Sequence, residues 1–393
     1  MWNRRHIRTI SIENGTVFNR IKYKDGINII CAFTRRKQTI LCLIFLVTIS
    51  SKILSTSFRR VSWTNDSIAR KESACDSARK LNPNAIITNT SIITTNRNHD
   101  DYQINFSMMV FSPLEDQYIS KKILQHKMHE PDLTKFISNA LSTPSGTTND
   151  NSTQIWAVDI GANLGYHALH MANEGAHVIA FEPAPDTRSL FKCSVEMSGL
   201  GTKSSHSSNG SIQIIPYGAS DTQAMGKMSR HPKSPGMTTF QSIEDNPFPL
   251  ESVDFDKYTM DVHRNNNDGG NNTNNTASIS LVRVQDILEA KGVPEGRSHS
   301  LRLLKLDVEG FEIKALKGLN LTRFPFQFFT FEYFPYMLKD SAGTDPVDLL
   351  LLVKQAGYAC NIDDKMGLTR QEMSLWSQKI SRDHHVNVYC ELK

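Results

Sequence analysis

The 393-residue chain is 39% apolar and 21% charged, a globular composition with enough apolar side chains for one or two ordinary cores. Its formal charge of +4 is uneven: residues 1–38 hold nine Lys or Arg against two acids, so the remainder is net acidic and unsuited to nucleic acid. Six cysteines are too few and too scattered for a disulfide scaffold, and no pair has the spacing of a zinc site.

In chain order, residues 1–38 read as a basic leader and residues 39–54 as an apolar segment broken only by Lys52. The uncharged run Thr39 to Ser51 is short of the roughly 20 residues a spanning helix needs, but Ile53 and Leu54 extend it if Lys52 snorkels. We read it as the signal-anchor of a single-pass type II membrane protein, with Arg35, Arg36 and Lys37 holding the N-terminus in the cytosol. A signal-peptide core and a buried helix are the competing readings. Eight downstream Asn-x-Ser/Thr sequons, at Asn65, Asn89, Asn105, Asn151, Asn209, Asn271, Asn274 and Asn320, agree with entry into the secretory lumen, although so Asn-rich a chain also generates them by chance. In that oxidising compartment Cys360 and Cys390 are the pair to test, because both fall in expected strands. Residues 55–104 are polar and aperiodic, which reads as a flexible stem.

A single domain is expected over residues 105–393. It opens with the extended run INFSMMVFS and helices around Ile119 to His126 and Leu133 to Leu141. Strands then alternate with helices: IWAVDI, HVIAFE, SIQIIPYG, LRLLKLDVE and QFFTFEYF, with YACNI and NVYCEL at the end, make seven strands. Such alternation predicts an α/β, doubly wound and mostly parallel sheet. An insertion over 217–300 separates the third and fourth strands, with an Asn/Gly-rich, low-complexity tract at 264–277 expected to be disordered.

After the first of these strands comes Asp159-Ile-Gly161-Ala-Asn163-Leu-Gly165. Glycines between a buried strand and a helix let backbone amides approach a ligand at the positive end of that helix, or simply make a tight turn. A nicotinamide enzyme needs Gly-x-Gly-x-x-Gly here, and Asn163 stands where the second glycine should be. The leading acid Asp159 suits the amino end of a cationic sulfonium amino acid better than a pyrophosphate. Glu182, ending the second strand in AFEP, can accept from both hydroxyls of a ribose, and Pro183 stops that strand.

DIGANLG, then AFEP, then LLKLDVEGFEIKALKG at Leu303 to Gly318, in this order, resemble the FkbM-type methyltransferases, and FSPLEDQYISKKIL at Phe111 to Leu124 resembles that family's lead-in. The resemblance covers about residues 105–393. It implies a Rossmann-like class I methyltransferase fold, S-adenosyl-L-methionine as cofactor held by Asp159, Gly161, Asn163, Gly165, Glu182 and Pro183, and O-methylation of a small-molecule or glycan acceptor. KCSVEMSG, at Lys192 to Gly199, departs from the Asn-rich ending usual in the family.

Methyl transfer from a sulfonium is an in-line displacement governed by alignment, but a hydroxyl acceptor must lose its proton to a base or a metal. Lys305, Asp307 and Glu309 have strand spacing and are the expected catalytic residues, with Asp307 and Glu309 as base or as ligands of a divalent metal. The competing reading makes Asp307 a helix cap and Glu309 and Glu312 first-turn acids. Glu332 is expected to pair with Lys305 or to touch substrate, and His167 to be a packing or solvent-facing residue. A non-catalytic cofactor-fold binding protein and an NAD-dependent sugar oxidoreductase are the alternative functions.

Overall fold

The computed structural model describes residues 7–13, 16–22, 27–34, 40–46, 72–95, 101–142, 154–201, 210–231, 234–244, 276–296, 300–381 and 384–393. The chain divides between Lys71 and Glu72 into two units. In the first, β1 (Ile7–Glu13), β2 (Thr16–Lys22), β3 (Ile27–Thr34) and β4 (Ile40–Leu46) pair antiparallel in sequence order. β4 occupies the run expected to begin a membrane anchor, since a short apolar run suits a buried strand as well as a helix. The remaining residues of that anchor, 47–54, lie outside the described residues, and among the described residues no helix is long and apolar enough to cross a membrane.

In the second unit the expected stem is replaced, over residues 72–95 and 101–104, by ordered structure. Helix α1 (Ala74–Leu81) begins where Ser73 Oγ accepts the Asp76 amide at 3.0 Å, and buries Ala78. Strands β5 (Ile86–Thr95) and β6 (Asp101–Val110) pair along their full length and bury Ile92 and Met108. These elements fold because they have partners elsewhere in the chain, which local aperiodicity conceals. The same holds for Cys75, which is bonded to Cys193. Residues 55–71 of the stem lie outside the described residues.

Helices α2 (Ile119–His126) and α3 (Pro131–Leu141) lead to β7 (Trp156–Ile160), α4 (Tyr166–Asn173), β8 (His177–Phe181), α5 (Pro185–Ser198) and β9 (Ser211–Ile215). The insertion supplies β10 (Gly218–Ser220), β11 (Ala224–His231), β12 (Ser234–Glu244), β13 (Thr276–Arg283) and α6 (Val284–Ala290). Its four strands form a separate sheet in the order β10-β13-β11-β12, so the insertion is a structural layer. Of the tract expected to be disordered, residues 264–275 lie outside the described residues and Thr276 opens β13. The chain ends with β14 (Leu301–Leu306), α7 (Glu312–Lys317), β15 (Phe328–Tyr333), α8 (Pro335–Ala342), α9 (Pro346–Gln355), β16 (Tyr358–Cys360), α10 (Asp363–Met366), α11 (Arg370–Lys379) and β17 (Val386–Leu392).

Seven strands form the central sheet in the order β16-β17-β15-β14-β7-β8-β9. Contacts from β15 to β9 are parallel, and β17 alone runs against its neighbours. Strand order reverses between β7 and β14, the place where open α/β sheets bind ligands at their carboxyl ends. Both faces are buried, so successive side chains go to different cores. Val158, Ile160, Leu304 and Leu306 join one core with Ile313 and Leu350, while Ala157, Ala180 and Leu303 join the other with Ile137, Leu169 and Leu190.

Cys360 and Cys390 stand opposite each other in β16 and β17 and are disulfide-bonded, as the sequence suggested. The departure at Lys192 to Gly199 also has a structural cause. Cys193 is the partner of Cys75, and Ser194 Oγ accepts the Met109 amide at 2.9 Å, so this segment holds the N-terminal hairpin. Of the sequons, Asn65, Asn151, Asn209, Asn271 and Asn274 lie outside the described residues. Asn320 uses its carbonyl oxygen locally, accepting the amides of Thr322 and Arg323 at 3.0 Å each.

Candidate active site

A cleft opens at the strand-order reversal, where open α/β sheets take their ligands. Its lining includes Gly161, Asn163, Glu182 and Pro183 on one side and Asp307 and Glu309 on the other. Asp159, Lys305 and Gly165, the other residues expected here, do not line it.

The β7 turn shows why glycine is required. Gly161 has φ +85°, and a Cβ there would lie 1.7 Å from the carbonyl oxygen of Asp307. The loop can therefore press against the end of β14 only without a side chain. Asn163 also adopts a left-handed backbone, φ 53°, with its Oδ1 accepting the Leu164 amide at 2.8 Å. Gly165 serves helix packing instead, because a Cβ at that position would meet the Phe191 ring at 2.0 Å.

Glu182, at the tip of β8, is held by backbone donors. Its Oε2 accepts the Asn163 amide and its Oε1 the Ala184 amide, both at 2.8 Å. The carboxylate thus joins the β7 and β8 loops and is presented to the cleft in a fixed orientation.

Asp159 lies behind this surface, fully buried. It faces Lys305, its register partner on β14, with Lys305 Nζ 3.1 Å from Asp159 Oδ1, 3.5 Å from Asp307 Oδ2 and 3.2 Å from the Gly161 carbonyl oxygen. Burial works against the ammonium charge, but the carboxylates of Asp159 and Asp307 outweigh it and hold the Lys305 pKa above its usual value. Lys305 therefore stays charged and braces the two strand ends, so both residues belong to the scaffold behind the cleft.

β14 ends at Leu306, and strand spacing does not carry through to Glu309. Glu309 reaches the rim by a left-handed residue, φ 53°, of the strained kind that clusters at functional sites. Burial, followed by the nearby charges of Asp307 and Glu312, pushes its pKa up to about 8. It makes no hydrogen bond or ion pair among the described residues. Asp307, its side chain 32% exposed, is also raised, by burial against the opposing pull of Lys305. Glu312 is a first-turn acid of α7, as one reading expected. Its Oε1 accepts the Val308 and Gly310 amides at 3.0 and 3.2 Å, while burial pushes its pKa up to about 7. Glu332 pairs with His385 Nδ1 at 3.2 Å and not with Lys305.

Two groups were missed. Tyr217 and Leu281, from the insertion and its approach, complete the wall of the cleft. On the α3 side, Glu130 accepts from His167 Nε2 at 2.8 Å with His129 close by, so His167 is a buried, paired residue. No periodicity signals this meeting, because its residues come from two different helix starts.

A family model described as the methyltransferase FkbM domain matches residues 159–360, just over half of the chain. Among curated proteins, the chain is 26% identical over 220 residues to methyltransferase sdnD of Sordaria araneosa, covering 54% of this chain and 73% of that protein. It is 29% identical over 169 residues to methyltransferase 1 of Beauveria bassiana, covering 42% and 57% respectively. It is 25% identical over 204 residues to the hexuronic acid methyltransferase AglP of Haloferax volcanii, covering 52% and 63%. No solved structure matches the chain.

Proposed function

The chain belongs to the FkbM methyltransferase family, and we propose that it is an S-adenosylmethionine-dependent O-methyltransferase acting on a hydroxyl of a glycan or lipid-linked sugar. The observation that carries this reading is Glu309, a carboxyl without a partner among the described residues and with a pKa pushed up to about 8, across one cleft from Glu182, which two amides hold. A carboxyl in that range is suited to take a proton from a weakly acidic alcohol near neutral pH.

The cofactor supplies an electrophilic methyl group on a sulfonium. Glu182, oriented by two amides, would hold the ribose hydroxyls beside Pro183, and Gly161, by letting its turn pack on the end of β14, would shape the loop that faces the cofactor. Glu309 receives the acceptor's proton. Asp307, tied to Lys305, keeps the rim acidic and helps hold that proton. Support for a sugar acceptor comes from the relative named for hexuronic acid. Two disulfides, at Cys75–Cys193 and Cys360–Cys390, support work in the oxidising lumen of the secretory pathway.

Calorimetry with S-adenosylhomocysteine and with NAD tests the cofactor, and binding of NAD alone would overturn the reading. Mass spectrometry of glycans and lipids from cells with and without the protein tests the acceptor. The expected result is a 14-dalton loss on a sugar, the mass of one methyl replacing one hydrogen, roughly the whole chemical change a methyl transfer makes.

A further inference from the structure

The Glu130 cluster lies outside the cofactor half of the cleft, and nothing in the cofactor reading uses it. His129 and Glu130 precede α3, and His167 sits in the first turn of α4. The Nε2 atoms of both histidines converge on one oxygen, Glu130 Oε2, at 3.4 Å from His129 and 2.8 Å from His167. One donor atom from each residue lies within 4.8 Å of the others.

A hydrogen bond between a carboxylate and one imidazole would explain His167 alone. It leaves unexplained why a second imidazole is brought to the same oxygen, and why Glu130 accepts a left-handed backbone, φ 46°, immediately before Pro131. Left-handed backbone at such a residue costs on the order of 1 kcal/mol and persists where the surroundings impose it. The distances have a simple chemical meaning. Donors bound roughly 2.0–2.1 Å from a tetrahedral ion stand about 3.3 Å apart, which the His129 separation of 3.4 Å matches, while the 2.8 Å hydrogen bond from His167 would open by about half an ångström to admit the ion.

We propose that His129, Glu130 and His167 form a binding site for a divalent transition-metal ion of the zinc type, with an open position for a small oxygen ligand. Two imidazoles and one carboxylate are a ligand set that suits zinc and leaves a coordination position for a small ligand. The three side chains are 14%, 26% and 7% exposed, so the site is walled by protein yet open on one side. None of the three lines the cleft, but the charge of Glu130 is felt by Lys305, Asp307 and Glu309, and that of His167 by Asp307. The metal site is thus distinct from Asp307 and Glu309, which remain available for proton transfer. The existence of the site does not depend on the methyltransferase reading.

The test uses the untagged full-length chain, freed of metal by chelator and titrated with zinc by calorimetry and with cobalt by visible absorption. We expect one equivalent per chain and a cobalt spectrum typical of tetrahedral nitrogen and oxygen ligation. The double variant His129→Gln/His167→Gln should bind zinc at least about 100-fold more weakly, beyond the effect of typical outer-shell changes. Circular dichroism checks that the variant folds; if it does not, the cobalt spectrum of the wild type and the single variant Glu130→Gln decide. Failure of the wild type to bind either ion, or undiminished binding by the variants, overturns the site. S-adenosylhomocysteine binding is measured on the same samples. Metal absent with that binding intact sinks only this inference, whereas metal bound with that binding absent sinks the cofactor reading.

Discussion

The two sides of the cleft treat their acids in opposite ways. On the β7–β8 side Glu182 is held by two backbone amides and Asp159 is locked to Lys305. On the β14 side Glu309 has no partner among the described residues, and its pKa, like those of Asp307 and Glu312, is raised. A carboxylate whose position and charge are fixed suits a ligand that must be held the same way in each cycle. A carboxyl that is buried without a counterion can gain and lose a proton. On the proposed function, the contrast gives binding to one wall and proton handling to the other.

The sharpest way to break this division is Glu309→Gln. We expect kcat to fall about 100-fold or more while S-adenosylhomocysteine affinity stays within twofold. An equal loss in both quantities would put Glu309 in the binding wall. The pH dependence follows with a definite sign. A base must be ionised, so kcat should rise as pH increases through about 8, with Asp307, Glu312, Lys305 and Glu130 setting the field. Stability should run the other way. Glu309 keeps in the folded state, up to about pH 8, a proton that the unfolded chain releases near 4.5, so stability present below 4.5 is lost as pH rises through 8. Denaturation curves at pH 5 and pH 8.5 should show this, with a smaller difference in Glu309→Gln.

Next in size, Asp159→Ala should destabilise the fold by about 3 kcal/mol, because it leaves a buried ammonium with Asp307 at 3.5 Å as its one close carboxylate, beside the Gly161 carbonyl oxygen at 3.2 Å. Urea denaturation measures it, and a change below 1 kcal/mol would mean that Lys305 is not charged in the folded protein. Replacing both Cys75 and Cys193 by Ser should cost about 2–4 kcal/mol without altering cofactor affinity. The smallest effect belongs to Glu182→Ala, expected to weaken S-adenosylhomocysteine binding severalfold, about 1 kcal/mol, with the fold intact. Unchanged affinity would move the ribose away from β8.

What could be read from the sequence follows the range over which each signal acts. The strand–glycine–helix pattern at Asp159 to Gly165 and the strands around Lys305 and Glu332 were legible, because burial on both sheet faces writes short apolar runs into the chain. Gly161, Asn163, Glu182, Pro183, Asp307 and Glu309 are accordingly brought together in one cleft. Asp159 was assigned to the ligand because its charge was visible in the sequence, whereas its partner, nearly 150 residues later, was not paired with it until the strand register was known. Spacing placed Glu309 correctly at the rim for the wrong reason, since the strand stops at Leu306 and a turn delivers it. The segment from Glu72 to Thr95 looked featureless because its helix and strand are stabilised by α5 and β6.

The Cys75–Cys193 bond also bears on how the protein is made. Cys75 leaves the ribosome 118 residues ahead of its partner, and Cys193 lies on the helix that follows Glu182. The bond from α1 cannot close until α5 has been synthesised. Oxidation of this pair therefore follows the making of β7 and β8, and the bond fastens α1 to a half-sheet already synthesised.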